Sequence, residues 1–359
     1  MEEVSVIGVD LAKNVFELCA LGAGGEVIWT RRLTRKGFTR FMADKAPRCL
    51  VGMEACGGAH HWGRWLTELG FTVKVMAPKA VKSYRHGPHK SDARDARAAG
   101  EAASRDYVRS VRVKSEAAQA VQALVRLRTL QIKQLIQTSN HLRGILGEFG
   151  VVLPKGAKRM REAIAALAED RTWLGMPLSV RKAADQLCTQ LADQTRQVRQ
   201  ATEDLVAATK DEDVCNQLRT VPGLGPINAA SMSVALEAPH AFASARAFAA
   251  SLRLVPRQHQ SAEKNKLFGI ARQSANETRR HLVLAGQSLI TMVDRLEAPP
   301  NDGFLLWVWR MRQRKNRNVA AVAVAAKLSR IAWAIAAKQE TYRPRSVKGS
   351  HSGPSLAAA

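Results

Sequence analysis

The sequence predicts two fold classes in one chain: an α/β domain, then a mostly α remainder. Three observations carry this. Over the first 110 or so residues, short apolar runs rich in β-branched residues alternate with amphipathic segments. From about residue 115, apolar residues recur at helical spacing over long stretches. Beyond residue 215, segments of helical period are separated by Gly- and Pro-containing turns.

Taken in order, VSVIGVD (4–10) is a buried-type strand that ends in an acid. VFELCAL, the turn GAGG and EVIWTRRL continue it as an antiparallel meander. TRKGFTRFMADKAP reads as a helix. CLVGMEA (49–55) is a second buried strand ending in an acid, Glu54. HHWGRWLTELG is a helix stopped by Gly70, and FTVKVMAP a third buried strand. A basic loop, KAVKSYRHGPHK, leads into the helix SDARDARAAGEAA.

Between 115 and 149, Leu135, Leu142 and Phe149 fall seven apart. Between 179 and 207, Ala184, Leu191, Val198 and Leu205 do the same. Two long helices joined by a Gly/Pro segment predict an antiparallel coiled-coil arm, interrupted at Arg128 and Ser139; a helical-bundle core would show much the same spacing. The expected domains are therefore 1–112 (α/β), 113–212 (helical arm), 213–341 (helical) and 342–359, a Ser/Pro/Gly/Ala-rich disordered tail.

The chain has 359 residues and a formal net charge of +24, from 55 Lys and Arg against 31 acids. That excess selects a polyanionic partner, nucleic acid before a membrane surface. No apolar run reads as long enough to span a membrane, and the start MEEVSVIGVDLA has no signal-peptide pattern, so a cytoplasmic protein is expected. Five scattered cysteines without a CxxC pair predict reduced thiols.

Four acids stand out against this basic background. Asp10 and Glu54 each end an apolar strand, where an unpaired carboxylate is costly. Asp92 and Asp95 are three apart and share one helix face. The plainer reading is local: Ser91 caps the helix, the aspartates suit its first turn, and Arg94 and Arg97 neutralise them. If the two strands are neighbours and the helix packs on them, all four carboxylates converge and require cations. Mg²⁺ prefers oxygen ligands, and paired ions sit about 3.5–4 Å apart around a scissile phosphate. This pattern resembles the RNase H/RuvC-like nuclease fold.

Further along, VPGLGPINA reads as half of a helix-hairpin-helix, with Gly223 and Gly225 letting backbone N–H groups approach a phosphate. Ser261 lies in a polar, Lys-flanked loop. The run WRMRQRKNRN supplies Arg310, Arg312, Arg314, Lys315 and Arg317 as phosphate contacts or as a solvated charged face, while Trp307 and Trp309 suit core packing better than base stacking. Lys82, Arg85, His86 and Lys90 adjoin the acids and suit phosphate.

Together, VIGVDLAKNVFEL, VGMEACGGAHHWGRWL, VKVMAPKAVKSY, HKSDARDARA, VPGLGPINAASM, FASARAFAASLRLVPRQ and AVAVAAKLSRIAWAI resemble the DEDD transposases of bacterial insertion sequences, relatives of the Piv invertase described as bridge-RNA-guided recombinases. The resemblance implies that Asp10, Glu54, Asp92 and Asp95 bind Mg²⁺ and that Ser261 is the nucleophile that becomes linked to a DNA phosphate. It further implies that the site is completed across subunits of a homo-oligomer and that a structured non-coding RNA chooses the DNA target. Arg279 matches a family arginine. The chain departs from the family in three places: Ala262 follows the serine where glycine is usual, Arg253 replaces the glycine of the GLxP segment, and Arg272–Ala275 lacks the glycine of the next element. Two other readings share the fold: a metal-dependent nuclease or junction resolvase with an idle Ser261, and an invertase that reads DNA without RNA. A non-catalytic nucleic-acid-binding protein is the reading in which the acids are only structural.

Overall fold

The structure is a computed structural model that describes residues 3–85, 91–167, 175–261, 264–271 and 277–345. It divides into two compact units, Met1–Glu116 and Ala117–Ala359.

The first unit is built on a six-stranded mixed sheet. Its strands are β1 (Val6–Asp10), β2 (Val15–Leu21), β3 (Val27–Thr34), β4 (Leu50–Glu54), β5 (Thr72–Met76) and the two-residue β6 (Ser110–Val111). Their spatial order is β3-β2-β1-β4-β5-β6. β1, β2 and β3 form the expected antiparallel meander, whereas β4 and β5 run parallel to β1. This order is consistent with an RNase H-like domain. Helices α1 (Arg35–Asp44) and α2 (Ala59–Glu68) cover one face, where Phe16, Phe38 and Trp62 pack ring on ring. Helices α3 (Pro78–Lys82) and α4 (Asp92–Ala103) cover the other. The segment read as a basic loop thus begins with a helical turn. Pro78 starts it, because a proline's missing N–H and fixed φ cost nothing at that position.

In the second unit, α5 (Glu116–Gly147) and α7 (Leu178–Ala208), separated by α6 (Ala157–Leu167), run antiparallel. Arg128 on α5 donates from Nε to Thr202 Oγ1 on α7 at 2.7 Å, while Leu142 and Leu146 share a core with Ala184 and Leu191. The two polar interruptions of the seam both find acceptors, since Ser139 donates to the Leu135 carbonyl at 2.7 Å. Phe149 lies beyond the end of α5 and is 38% exposed, so the heptad stops one step before the spacing suggested. At its base the pair merges with the C-terminal helices: Val121, Val125 and Leu205 enter their core.

Those helices are α8 (Asp213–Arg219), α9 (Pro226–Ala235), α10 (Ala245–Ser251), α11 (Glu277–Val293), α12 (Gly303–Arg314) and α13 (Arg317–Lys338). Contrary to the expected absence of a membrane-length run, α13 is long and apolar enough to cross a membrane. Ala320, Ala321, Val324, Ala325, Leu328 and Ala332 nevertheless lie fully inside the core, so its apolarity is explained by burial among the other helices. A β-hairpin interrupts this helical region: β7 (Pro256–Ser261) with β8 (Lys264–Ile270). Tyr342, the first residue of the segment read as tail, donates its hydroxyl to Asp302, and Gly303 N–H donates to the Arg345 carbonyl at 2.9 Å. Residues 346–359 lie outside the described residues. All five cysteines are free; Cys19 and Cys215 are buried.

Candidate active site

Glycine places the four acids. β1 and β4 pair in parallel with Gly8 opposite Gly52, so Asp10 and Glu54, each two residues on, end neighbouring strands. Side chains two apart on a strand share a face. Gly8 and Gly52 face α4 so closely that a Cβ at Gly8 would strike the Ala96 carbonyl, and one at Gly52 the Ala99 carbonyl at 2.5 Å. Asp10 and Glu54 therefore point to the α4 side as well. The small residues of α4, Ala96, Ala99, Gly100 and Ala103, permit this approach. Ser91 caps α4 as expected, accepting from Arg94 N–H at 3.4 Å. The first turn of α4, which carries Asp92 and Asp95, thereby comes to the ends of both strands.

Asp92 is exposed, Asp95 is buried, and Asp10 and Glu54 are half-buried. The carboxyl of Asp10 is pushed up from 3.8 to about 6, first by burial, then by the charges of Asp95, Asp92 and Glu54. Arg85 opposes that shift. Its Nη2 donates to Glu54 Oε2 at 3.1 Å, and its Nε lies 2.8 Å from Asp95 Oδ1. The second contact is an ion pair and not a hydrogen bond: the Nε hydrogen is misaligned, and this buried nitrogen has no hydrogen-bond partner.

The sequence assigned Arg85 to a phosphate and gave neutralisation of the aspartates to Arg94 and Arg97. In the structure Arg85 is a cation among the acids, and Arg97 pairs with Glu101 at 2.7 Å. Among the described residues, no three metal-binding side chains stand close enough together to hold an ion as they are arranged. The donor set still fits a hard divalent cation. All the donors are carboxylate oxygens, one of them is hard to ionise because it is buried beside like charges, and a guanidinium sits among them.

The other sequence-selected residues scatter. Lys82 is exposed in the last turn of α3, and His86 and Lys90 fall outside the described residues. Gly223 and Gly225 form the turn between α8 and α9. Gly223 has φ +86, and a Cβ there would meet Leu289 at 2.7 Å, so both conformation and space demand glycine. Asn228 Nδ2 donates to the Gly223 carbonyl at 3.2 Å. Ser261 is not in a loop: it closes β7 and pairs in register with Lys264. Ala262, Glu263 and residues 272–276 fall outside the described residues. Arg279 lies in the first turn of α11. In the basic run, Arg312 and Arg317 both pair with Asp294, at 3.2 and 3.0 Å, whereas Arg310, Arg314 and Lys315 are exposed. Trp307 and Trp309 pack on the core.

The clue that sequence reading passed over is Gly-x-acid occurring twice, at Gly8–Asp10 and Gly52–Glu54. A mixed sheet in this strand order, with acids ending two adjacent strands, is consistent with the RNase H-like class of α/β domains. Comparison with known proteins narrows the class. A transposase model of the DEDD, IS110 type matches residues 7–150, and that of the transposase IS116/IS110/IS902 family matches residues 215–299. The chain is 34% identical over 343 residues to the transposase for insertion sequence element IS1111A of Coxiella burnetii, covering 96% of this chain and 92% of that protein. It is 36% identical over 345 residues to a probable family 20 transposase of Pseudomonas aeruginosa, covering 95% and 99%. It is 32% identical over 336 residues to the transposase for insertion sequence element IS1328 of Yersinia enterocolitica, covering 93% and 97%. This chain belongs to the IS116/IS110/IS902 transposase family.

Proposed function

We propose that the protein is a DNA transposase that cuts and rejoins strands in a Mg²⁺-dependent reaction, with Ser261 as nucleophile and a structured RNA as guide. The observation that supports it best is the meeting of Asp10 and Glu54, at the ends of adjacent strands, with Asp92 and Asp95 in the first turn of α4, where burial and the three neighbouring charges raise the Asp10 carboxyl. These four carboxylates would hold two Mg²⁺ ions. Bound there, the metal would polarise a DNA phosphate and stabilise the leaving oxygen. The Ser261 hydroxyl oxygen attacks phosphorus as it loses its proton, the Oγ–P bond forms, and the bond to one deoxyribose oxygen breaks. That oxygen leaves and is protonated. In the second step a DNA hydroxyl attacks the phosphoserine, restoring Ser261 and joining the new strand.

Lys82, Arg279, Arg314 and Lys315, with the Gly223–Gly225 turn, contact nucleic-acid phosphates in this reading. The net charge of +24 supports such contacts. Residues 113–212 act as an oligomerisation arm, for which the exposed Leu127, Leu130 and Ile136 of α5 offer apolar surface. The guide RNA is supported by the resemblance to bridge-RNA-guided enzymes.

The test is a recombination assay with the flanking non-coding RNA supplied. Ser261→Ala and Asp10→Asn each abolish recombination while nucleic-acid binding survives. Full recombination by Ser261→Ala removes the nucleophile. DNA cutting that persists in Ser261→Ala but not in Asp92→Ala identifies a metal-dependent nuclease instead.

A further inference from the structure

Beside the acids, the first unit contains a cavity of about 460 Å³ lined in part by Leu11, Lys13, Arg35, Cys56, Gly58 and His61. Its position is set by the same two strand ends. Leu11 directly follows Asp10, and Cys56 lies two residues beyond Glu54. The Cys56 thiol approaches the Leu11 carbonyl at 3.9 Å and feels the charges of both Glu54 and Asp10. The cavity thus opens by the strand ends that carry the acids, on the α1 and α2 side of the sheet, while the carboxylates turn to the α4 side.

Its charge is opposite to that of the acids. Lys13 and Arg35 are exposed, and among the described residues neither pairs with a carboxylate. Arg35 is held in place from both ends. Its guanidinium carbon stands 4.7 Å from the Trp62 ring centroid, and its backbone N–H donates to the Asn14 carbonyl at 3.0 Å. His61 stands exposed on the same wall, with its ring 5.0 Å from that of Trp62. Other arginines of the unit are already paired: Arg32 with Glu17, Arg64 with Glu116 and Arg97 with Glu101. The volume is that of a small-molecule pocket, ~300–1,000 Å³, too small for a duplex but suited to one nucleotide.

We propose that this cavity is a phosphodiester subsite that takes one unpaired nucleotide of the DNA strand beside the scissile phosphate, with Lys13 and Arg35 holding its phosphates. The inference rests on the reading of the chain as a DNA-processing enzyme. It adds the point at which the strand is gripped beside the acids.

The experiment uses the full chain in EDTA, so that no metal bridges DNA to the acids. Binding of a fluorescein-labelled single-stranded DNA is followed by anisotropy across a salt series. Labelling of Cys56 by N-ethylmaleimide is followed in parallel by peptide mass spectrometry. DNA should slow Cys56 labelling several-fold. The double variant Lys13→Ala/Arg35→Gln should weaken binding and reduce the steepness of log K against log salt by about 1.4, for two lost contacts to a single strand. Lys36→Ala, a nearby exposed lysine off the cavity wall, corrects for bulk charge. Lys13→Ala alone should show half the effect, and it leaves the fold intact because the Lys13 side chain is exposed. DNA that binds without protecting Cys56, or a double variant whose salt slope matches the Lys36→Ala control, overturns the subsite and leaves the DNA-processing reading intact. Protection by RNA but not by DNA of the same sequence also overturns it. If the wild-type chain binds no DNA, that reading fails and the subsite falls with it.

Discussion

Arg85 Nε lies 2.8 Å from Asp95 Oδ1, while the same guanidinium donates to Glu54 at 3.1 Å. One side chain thus joins the acid of a helix to the acid of a strand, in the space where a divalent cation would bind. A guanidinium and a metal compete for the same oxygens. Arg85→Met should lower the stability of the metal-free protein by about 1–3 kcal/mol, since a charged hydrogen bond and an ion pair are lost and the acids repel. It should also tighten Mn²⁺ binding, about tenfold if some 1.4 kcal/mol of competition is relieved. Thermal melts in EDTA and calorimetric Mn²⁺ titration check the two halves separately. Unchanged Mn²⁺ affinity would mean that Arg85 and the metal do not share the site.

The approach of α4 to the strands depends on glycine. Gly8→Ala and Gly52→Ala would each push a methyl group into an α4 carbonyl, a backbone atom that cannot rotate away. Each should cost about 1–3 kcal/mol or more and shift Asp92 and Asp95 away from Asp10. Denaturant melts report the first effect. Loss of divalent-ion stabilisation reports the second.

Arg253 has φ 55, in the left-handed region. Its N–H donates to the Ala250 carbonyl at 2.9 Å, and that of Leu254 to the Ala249 carbonyl at 3.1 Å. This is the Schellman pattern at the end of α10, and Arg253 holds the position that glycine favours. Where the family it resembles carries the glycine of a GLxP segment, this chain therefore places Arg253 in a conformation strained for any residue but glycine. Arg253→Gly should stabilise the chain by about 0.5–1 kcal/mol, whereas Arg253→Ala should not. Urea unfolding midpoints distinguish them.

His281 on α11 is buried, its Nδ1 has no hydrogen-bond partner, and its pKa is lowered to about 4 from 6.5. Burial is the main cause, followed by the positive charges of Arg128 and Arg280. Between those values the unfolded chain binds a proton that the folded chain refuses. Stability should therefore fall as pH drops from about 6.5 toward 4, by at most about 1.4 kcal/mol per pH unit from this group. His281→Gln should flatten that limb. Urea melts across this pH range read the slope, and an unchanged slope would show that His281 does not set it.

The strands ending in Asp10 and Glu54 and the capped helix bearing Asp92 and Asp95 were legible in the sequence, because burial period and capping are local properties of the chain. The long antiparallel helices were legible for the same reason. The β7–β8 hairpin was not. Its first five residues, PRQHQ, are exposed on both faces, and the strand carries no alternation of apolar and polar residues to read. Nor did spacing reveal that Arg85 would stand between Glu54 and Asp95, or that Lys13 and Arg35 would face one cavity. Residues distant along the chain meet only when β1 and β4 lie in register and α4 settles on their glycines. The sequence by itself determined which acids stand out and which strands and helix carry them. Close packing of a helix on two glycine-bearing strands decided which charges meet there, because electrostatic partners are chosen by distance in space and not along the sequence.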